Sequence, residues 1–386
     1  MLVLIRTLVL LTLLFLIPDW YIYKVHVAPL KRRSANRLLW WPTIALLVAL
    51  VTFVIAHNAL QDYFGIYLIA ALCIAIPKVI FVLFSLILRG LKKLSGWNIP
   101  VGAISSLPGI AVSAYILFGA VVGKEYYQVR EVDFVSPDLP EAFNGYRVLQ
   151  ISDIHAGSWK GNPEAQQKAI DLCLAQAPDL AVFTGDLVNS RADEINEFIP
   201  IFEQLKAKDG VFSIMGNHDY GTYVSWDSEA QRFASIDSLI NRQNRMGWKM
   251  LNNAHQIIYR GNDSIALVGV ENSGNPPFPD FAKLKESCEG TEGMFKILLS
   301  HDPTHWRREV LPESDIQLML AGHTHDMQIS VFGFSAASFI YPEHNGMYYE
   351  GKRGLYVNIG LGHVLFPMRL GAWPEITVIT LKKEKE

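Results

Sequence analysis

The sequence predicts an α/β domain preceded by an all-α bundle of about four transmembrane helices. Hydrophobic residues make up 50% of the chain, and they are concentrated in its first third. Uninterrupted apolar stretches there approach the length of a bilayer-spanning helix. From about Tyr146 onwards, short β-rich runs alternate with helical patterns, which is typical of helices packed against a sheet. The predicted division is a bundle over 1–123, a juxtamembrane linker over 124–145 and the α/β domain over 146–386.

Four apolar stretches predict the bundle. Each approaches or exceeds the roughly 20 residues that cross a bilayer core as a helix. They carry no polar face, which argues against helices buried in a soluble core. The stretches are Leu2–Tyr23, Leu38–His57, Tyr63–Leu88 and Pro100–Val122. The first also resembles a signal peptide, but no small-residue cleavage site follows it and a basic cluster comes directly after, so an uncleaved helix is preferred.

The loops between these stretches predict the orientation. Five Lys or Arg residues lie between the first two stretches and three between the last two, whereas Asn58–Asp62 carries none. The positive-inside bias then places the first and third loops in the cytoplasm. With an even number of spans, both termini and the C-terminal domain lie outside. We therefore expect a multi-pass protein of the inner or plasma membrane, in contact with membrane lipids.

Lys78 follows Pro77 inside the third stretch, at a depth where an ionisable group is costly and often functional. A transporter bundle with the C-terminal domain as an accessory is the corresponding alternative function, and the short loops argue against it. The preferred interpretation is a kinked helix whose lysine reaches an interface or pairs within the bundle.

Net charge and cysteine content argue against a nucleic-acid partner and against cysteine-based structural sites. The net charge is −3, so no nucleic-acid partner is expected. The three cysteines, Cys73, Cys173 and Cys288, are far apart and form neither a disulfide framework nor a thiolate metal site.

The C-terminal region reads as strands and helices that alternate early and as dense strands later, which suggests a second sheet. Helices are predicted over Pro163–Gln176, Ala192–Lys206 and Ser228–Met246. Strands are predicted over Arg147–Ser152, Leu180–Thr184, Val211–Met215, Ser264–Val270, Phe295–Ser300, Ile316–Ala321, Leu355–Ile359 and Ile376–Leu381.

Polar side chains follow five of these strands. Ligand sites in open α/β sheets form beyond the carboxyl ends of strands, so these side chains should converge. Carboxylate, imidazole and amide groups suit Mn²⁺, Fe or Zn²⁺. One carboxylate that bridges two ions, with His and Asn around it, describes a two-metal hydrolase site. The residues after the strands are Asp153 and His155; Asp186; Asn217, His218 and Asp219; His301 and Asp302; and His323 and His325.

The ordered series DIH, GDLV, GNHD, SHDP and GHTH closely resembles the calcineurin-like metallophosphoesterases, from about Tyr146 to the C-terminus. The resemblance implies a four-layer α/β/β/α sandwich and two divalent metal ions, Mn, Zn or Fe. It implies that one ion is bound by Asp153, His155, Asp186 and His325. It implies that the other is bound by Asp186, Asn217, His301 and His323. His218 would be the general acid or transition-state stabiliser, and Asp219 would position it.

The tail GLGHVLFPMRLGAWPEITVITL resembles the end of the membrane-associated bacterial branch of that family, which includes enzymes acting on UDP-diacylglucosamine. In that branch Arg369 would lie near the site. Asn189 stands where the family commonly has an acidic residue, and Asp326-Met327 stand where it commonly has Gly-Gly. Neither departure removes an implied ligand, but both bear on the pocket rim and therefore on the substrate.

The predicted function is a phosphodiesterase or pyrophosphatase that uses a metal-activated water. A phosphomonoesterase is the nearest alternative, because the same metal centre serves both. A non-catalytic sensor would be expected to have lost ligands or His218, and none is lost. We expect a phosphoester substrate, and the short linker and multi-helix bundle favour a lipid-linked one. Phe278 and Phe281, in the loop Asn272–Phe281, are candidates for a lipid-facing rim, with an ordinary proline-rich surface loop as the alternative.

Overall fold

A computed structural model describes residues 2–56, 60 and 63–384, and in the first helix it describes side chains only from residue 12 onwards. The chain divides into two compact units. The helical unit comprises Met1–Val122 and Leu365–Leu370, and the second unit comprises Gly123–Val364 and Gly371–Glu386.

The helices of the first unit are α1 (Leu2–Ile22), α2 (Arg33–Ile55), α3 (Phe64–Ser95) and α4 (Val101–Val121). Among the described residues, three helices are long and apolar enough to cross a membrane, over Arg33–Ile55, Phe64–Ser95 and Val101–Glu125. They coincide with the last three predicted spans. The first predicted span falls on α1, where the side chains before residue 12 lie outside the described part, as does most of the loop Asn58–Asp62.

An ion pair joins three helices of this unit. The Nζ atom of Lys78 lies 2.6 Å from a carboxylate oxygen of Asp19 and 2.7 Å from the hydroxyl of Thr43. The Thr43 hydroxyl also donates a hydrogen bond to Asp19. Asp19 and Thr43 are fully buried. Lys78 therefore pairs within the bundle, as the preferred interpretation expected.

The segment Leu365–Leu370 packs among the helices of the first unit. The backbone N–H of Arg369 donates to the carbonyl of Gly119 over 3.2 Å. A Cβ atom added at Gly119 would lie 2.8 Å from the Arg369 carbonyl oxygen, so only glycine permits this approach. Arg369, expected near the site, therefore belongs to the helical unit.

The second unit contains two large sheets and a short hairpin. The first sheet has the strand order β1-β14-β2-β3-β4-β5, and the second has the order β12-β13-β9-β8-β7-β6. Strands β2 to β5 are parallel, β14 is parallel to β1 and antiparallel to β2, and β7, β8, β9 and β13 are parallel. The strands are β1 Gln128–Ser136, β2 Tyr146–Ile151, β3 Leu180–Phe183, β4 Val211–Ser213, β5 Trp248–Met250, β6 Ala254–Arg260, β7 Asp263–Gly269, β8 Phe295–Leu299, β9 Leu318–Ala321, β10 Ser330–Val331, β11 Phe334–Ser335, β12 Gly346–Glu350, β13 Arg353–Val357 and β14 Glu375–Lys383.

Alternate residues of the central strands face two different cores, which gives the unit its layers. Val148 of β2 joins the core between the two sheets, and Leu149 joins the core under the helices of the first sheet. Trp306 joins a third core, on the outer face of the second sheet. The four-layer α/β/β/α prediction is confirmed, and burial on both faces explains why these strands read as apolar runs. The helices here are α5 Pro163–Ala175, α6 Ile199–Phe202, α7 Glu229–Arg245, α8 Leu284–Cys288 and α9 Leu311–Glu313.

Two sequence assignments need correction. Strand β1, Gln128–Ser136, lies inside the predicted linker, and it pairs in parallel with β14 along its whole length. Its charged residues and partial exposure as an edge strand hid the pattern. The predicted helix Ala192–Lys206 is instead a 3₁₀ turn over Ala192–Ile195 and the short helix α6. Pro200 supplies no N–H, so it is tolerated in the first turn of α6 but would interrupt a helix that continued from Ala192.

Candidate metal centre

The predicted site residues follow neighbouring strands of both sheets. Strands β2, β3 and β4 lie side by side in the first sheet, and β8 and β9 lie side by side in the second. Their carboxyl ends bring together the seven implied ligands, of which His323 alone is not fully buried. The seven are Asp153, His155, Asp186, Asn217, His301, His323 and His325.

One group of potential ligands lies at the end of β2. The Nε2 atom of His325 is 3.2 Å from a carboxylate oxygen of Asp153 and 3.0 Å from Nε2 of His155. The same nitrogen of His155 is 3.6 Å from Asp186. Ligand atoms of Asp153, His155 and His325 all lie within 4.8 Å of one another, close enough to share one cation.

A second group lies between β3 and β8. The Nε2 atom of His301 is 3.2 Å from Asp186 and 3.1 Å from the amide oxygen of Asn217. Ligand atoms of Asp186, His301 and His323 also lie within 4.8 Å of one another. Asp186 thus contacts both groups, which is the position that a bridging carboxylate would need.

The backbone around the candidate ligands is held in uncommon conformations. Five of them have positive φ values, from 50° to 73°. Such conformations are costly for residues other than glycine and persist where the surroundings fix them. At Gly216 a Cβ atom would lie 2.2 Å from an Asp186 carboxylate oxygen, so glycine is required for the two loops to meet. The five residues are Asp153, His155, Asp186, His323 and His325.

Asp219 fixes the loops that carry two ligands. Its carboxylate accepts hydrogen bonds from the backbone amides of Asp186, Leu187, Val188 and Gly216, over 2.9–3.2 Å. This carboxylate therefore joins the loop after β3 to the loop after β4. Burial, together with the charge of Asp186, raises the pKa of Asp219 to about 7.

His218 is oriented by a different group from the one predicted. Its Nδ1–H donates to the backbone carbonyl of Asn189 over 2.8 Å, and its ring stacks on Tyr223 with centroids 4.2 Å apart. Asp219 was predicted to position His218, but its carboxylate accepts hydrogen bonds from four backbone amides instead. The Asn189 carbonyl leaves Nε2 of His218 as the nitrogen available to a bound molecule.

Hydrogen bonds to surrounding groups aim two further ligands. The Nδ1–H of His301 donates to the carbonyl of Thr184 over 2.7 Å, which leaves Nε2 for the centre. The amide nitrogen of Asn217 donates to the Tyr223 hydroxyl over 2.8 Å, which turns the amide oxygen towards His301.

The charges of the site suit cations. Burial alone would raise the pKa of Asp186, but His301 and His218 hold it well below its usual range. Burial opposes a charge on His301, yet Asp186 raises the pKa of His301 to about 10. Burial lowers the pKa of His155, and its buried Nδ1 has no hydrogen-bond partner in the described part of the chain. The ionised carboxylates and the neutral His155 are donors that a hard or borderline divalent ion prefers, and an ion that binds His301 would displace the proton of that ring.

Aromatic residues flank the centre, and two of them were not predicted from the sequence. The Tyr341 hydroxyl is hydrogen-bonded to Nε2 of His323 over 3.0 Å, and Tyr223 contacts both Asn217 and His218. Both tyrosines come from loops without a recognisable motif, so no sequence signal pointed to them. Phe278, from the predicted rim, is half-buried with its ring edge-on to His323, at 4.7 Å between centroids.

Comparisons with known proteins decide the family. Residues 146–327 match the family described as calcineurin-like phosphoesterase, and residues 5–124 match the family described as probable calcineurin-like phosphoesterase, transmembrane domain. The uncharacterized metallophosphoesterase YkuE of Bacillus subtilis (strain 168) is 30% identical over 312 residues, covering 76% of this chain and 99% of that protein. The chain belongs to the calcineurin-like phosphoesterase family.

The chain is a hydrolase of phosphate esters, in a family that uses divalent metals. Its match to the transmembrane family and the three long apolar helices of the described part make it a membrane protein. It is 30% identical to the "Transmembrane protein with metallophosphoesterase domain" of Danio rerio over 71% of its own length, but it spans only 62% of that protein. The UDP-2,3-diacylglucosamine pyrophosphatase LpxG of Chlamydia muridarum (strain MoPn / Nigg) is 26% identical over 58% of this chain and 81% of that protein.

Proposed function

We propose that this phosphoesterase hydrolyses phosphodiesters or pyrophosphates with two divalent ions. The observation that carries the proposal is the placement of Asp186, whose carboxylate clusters with His301 and His323 and also lies 3.6 Å from His155 of the other group. Asp153, His155, Asp186 and His325 would hold one ion, and Asp186, Asn217, His301 and His323 would hold the other. Bound there, the ions would polarise a phosphoryl oxygen and supply a nucleophilic water.

The remaining groups would bind and orient the substrate. His218 holds its Nδ1 proton on Asn189, so its Nε2 is the atom that would protonate the leaving oxygen or stabilise charge on the phosphoryl group. Tyr223 keeps the His218 ring in place by stacking on it. Asp219 holds the loops of Asp186 and Asn217 at a fixed separation and would act through them rather than on the substrate.

A direct test uses the two carboxylates at the opposite ends of β3. Asp186 follows this strand and Asp179 precedes it, where it accepts hydrogen bonds from the Arg147 amide and Lys208. In full-length protein, Asp186→Ala should remove both ions by elemental analysis and abolish hydrolysis of bis(p-nitrophenyl) phosphate. Asp179→Ala should keep both ions and the rate of hydrolysis. Full metal content and rate in Asp186→Ala would overturn the site assignment.

The same preparation separates a diesterase from a monoesterase. Bis(p-nitrophenyl) phosphate and p-nitrophenyl phosphate have the same leaving group but differ in charge and in the second ester. The proposal expects the diester to be hydrolysed with the higher kcat/KM. A preference for the monoester would assign the phosphomonoesterase function instead.

We place the substrate at the membrane surface. Residues 122–127 alone separate the end of α4 from the start of β1, so the link can reach at most about 25 Å when extended. In this proposal all four apolar stretches span the membrane, the basic loops face the cytoplasm and the phosphoesterase unit lies outside. A relative named for hydrolysis of a diacylated nucleotide sugar supports a lipid-linked phosphodiester or pyrophosphate as the substrate.

A substrate screen tests this part of the proposal. Full-length protein in nanodiscs should hydrolyse phospholipids or nucleotide-linked lipids faster than soluble linear or cyclic nucleotides of the same bond type. Best activity on soluble nucleotides would overturn the lipid-linked assignment and leave the phosphoesterase assignment intact.

A further inference from the structure

An exposed apolar surface lies directly after the candidate ligand His325. Strands β10 and β11 form a hairpin with Phe332-Gly333 at its tip, and a 3₁₀ turn over Ala336–Phe339 follows. The rings of Phe334 and Phe339 are in edge contact, with centroids 5.5 Å apart, so the exposed side chains form one patch. We call this patch the aromatic surface; it consists of Val331, Phe332, Phe334, Phe339 and Ile340.

Nothing within the phosphoesterase unit accounts for Phe332. The residue is fully exposed and has φ of 54°, a left-handed conformation that is unfavourable for a bulky side chain. Two-residue hairpin turns favour Asn-Gly at such a tip, not Phe-Gly. Phe332 therefore carries a conformational cost and gains no packing in the described fold in return. Contiguous exposed apolar patches usually mark a contact with a partner or a membrane.

The aromatic surface is attached to the candidate metal centre at two points. The hydroxyl of Ser335 donates to the carbonyl of Asp326, the residue after His325, over 2.7 Å. Tyr341, which follows Ile340 in the chain, is hydrogen-bonded to His323. One attachment is therefore to the neighbour of His325, and the other joins Tyr341 to His323 itself.

The base of the hairpin contacts the residues that flank the segment Leu365–Leu370 of the helical unit. The side-chain oxygen of Gln328 accepts a hydrogen bond from the Val364 amide over 2.6 Å. A Cβ atom at Gly371 would lie 1.9 Å from the carbonyl oxygen of Ser330, so the backbones touch there. The chain leaves this unit after Val364 and returns at Gly371. The hairpin therefore contacts both residues, Val364 and Gly371, at which the chain passes between the two units.

We infer that the aromatic surface inserts into the boundary between headgroups and acyl chains, and thereby holds the candidate metal centre at the lipid–water interface. The 16 residues 327–342 contain no charged residue, so apolar insertion and not electrostatic attraction would supply the binding free energy. Phenylalanine is among the apolar residues that interfacial segments bury at this depth of a bilayer. The part of the inference that concerns the substrate rests on the proposed lipid-linked function. Insertion of the aromatic surface into the bilayer does not depend on that function.

Photolabelling tests the insertion without any hydrolysis. Full-length protein is reconstituted in phosphatidylcholine vesicles that contain a phosphatidylcholine with a diazirine on its acyl chain. The matched control is β6, an edge strand of the second sheet, whose Tyr259 is 73% exposed. The peptide containing Phe332 should be labelled well above the peptide containing Tyr259. Equal labelling of the two peptides, or no lipid adduct on the peptide containing Phe332, would overturn the inference.

The variant Phe332→Asn removes the apolar tip without harming the fold, because asparagine tolerates the left-handed conformation better than phenylalanine. Its thermal stability should match or exceed that of the natural chain. Lipid labelling of the hairpin should fall in Phe332→Asn, whereas Tyr259→Asn should leave labelling of the hairpin unchanged.

Two diesters with the same leaving group give the kinetic readout. For hexadecyl p-nitrophenyl phosphate in the vesicles, Phe332→Asn should raise KM by about tenfold, since a buried phenylalanine contributes transfer free energy on that scale. For soluble bis(p-nitrophenyl) phosphate, kcat/KM should not change. An equal loss on both diesters would overturn the interfacial role of Phe332. A labelled hairpin combined with no preference for the lipid diester would support the inserted surface and refute the lipid-linked substrate.

Discussion

The backbone carbonyl of Asn189 lies 2.8 Å from Nδ1 of His218, and it therefore sets the tautomer and direction of that ring. A main-chain acceptor keeps this geometry whatever side chain occupies position 189. The departure from the family pattern at Asn189 thus leaves the orientation of His218 intact.

His218→Ala should keep both metal ions and slow hydrolysis by about 10²–10⁴-fold for diesters with poor leaving groups, because these need protonation. The measurement is kcat/KM across diesters of graded leaving-group pKa, together with metal content. His255→Ala is the matched control, since this histidine is half-buried and bonded to the Ser287 carbonyl, among residues that form no part of the centre. An equal loss with nitrophenolate leaving groups would contradict general acid catalysis and indicate electrostatic stabilisation.

Asp219→Asn should destabilise the phosphoesterase unit by about 2–4 kcal/mol, because the new amide NH₂ would face two buried backbone donors. Metal affinity should fall with it, since both loops that Asp219 joins carry candidate ligands. Thermal unfolding and metal titration measure the two effects. Asp263→Asn is the control, because Asp263 accepts a single amide hydrogen bond, from Ala142, at the surface. Unchanged stability and metal affinity in Asp219→Asn would show that the four hydrogen bonds are dispensable.

Lys78→Met should destabilise the helical unit by about 3 kcal/mol or more, because it leaves the buried Asp19 carboxylate unpaired. The double variant Asp19→Asn/Lys78→Met should be more stable than Lys78→Met alone, since it removes both charges. Thermal unfolding in detergent compares the variants, with Lys92→Met at the exposed end of α3 as the control. If the double variant is less stable than Lys78→Met, the ion pair is not what couples these helices.

A membrane-impermeant maleimide tests the orientation in intact cells. Lys352→Cys lies on an exposed turn of the phosphoesterase unit and should react from outside. Lys92→Cys, in the last turn of α3, should react only after the membrane is opened. The natural chain supplies the background from its own cysteines, of which Cys173 is buried. The reverse pattern would invert the proposed topology.

The site residues that could be predicted from the sequence are those that directly follow a strand. Asp153, Asp186 and His301 each follow a buried apolar run, and strand geometry brings such positions together whatever the loops do. The layered fold was predictable for the same reason, because strands buried on both faces have a strong apolar signal.

The remaining features depend on contacts that no local pattern encodes. Tyr341 reaches His323 from a loop 18 positions away in the chain. Strand β1 exists because β14 lies beside it, and its own charges conceal it. The hairpin of Phe332 is made of two-residue strands, which are too short to show any periodicity.

Strand β14 lies between β1 and β2, although it is formed by Glu375–Lys383 near the end of the chain. The first sheet cannot be completed until these residues have left the ribosome, which at about 5–20 residues per second comes many seconds after the membrane helices have emerged. During that interval the nascent phosphoesterase unit remains open between its first two strands, β1 and β2. The position of one strand thus orders biosynthesis, with the helices entering the bilayer first and the catalytic unit closing last.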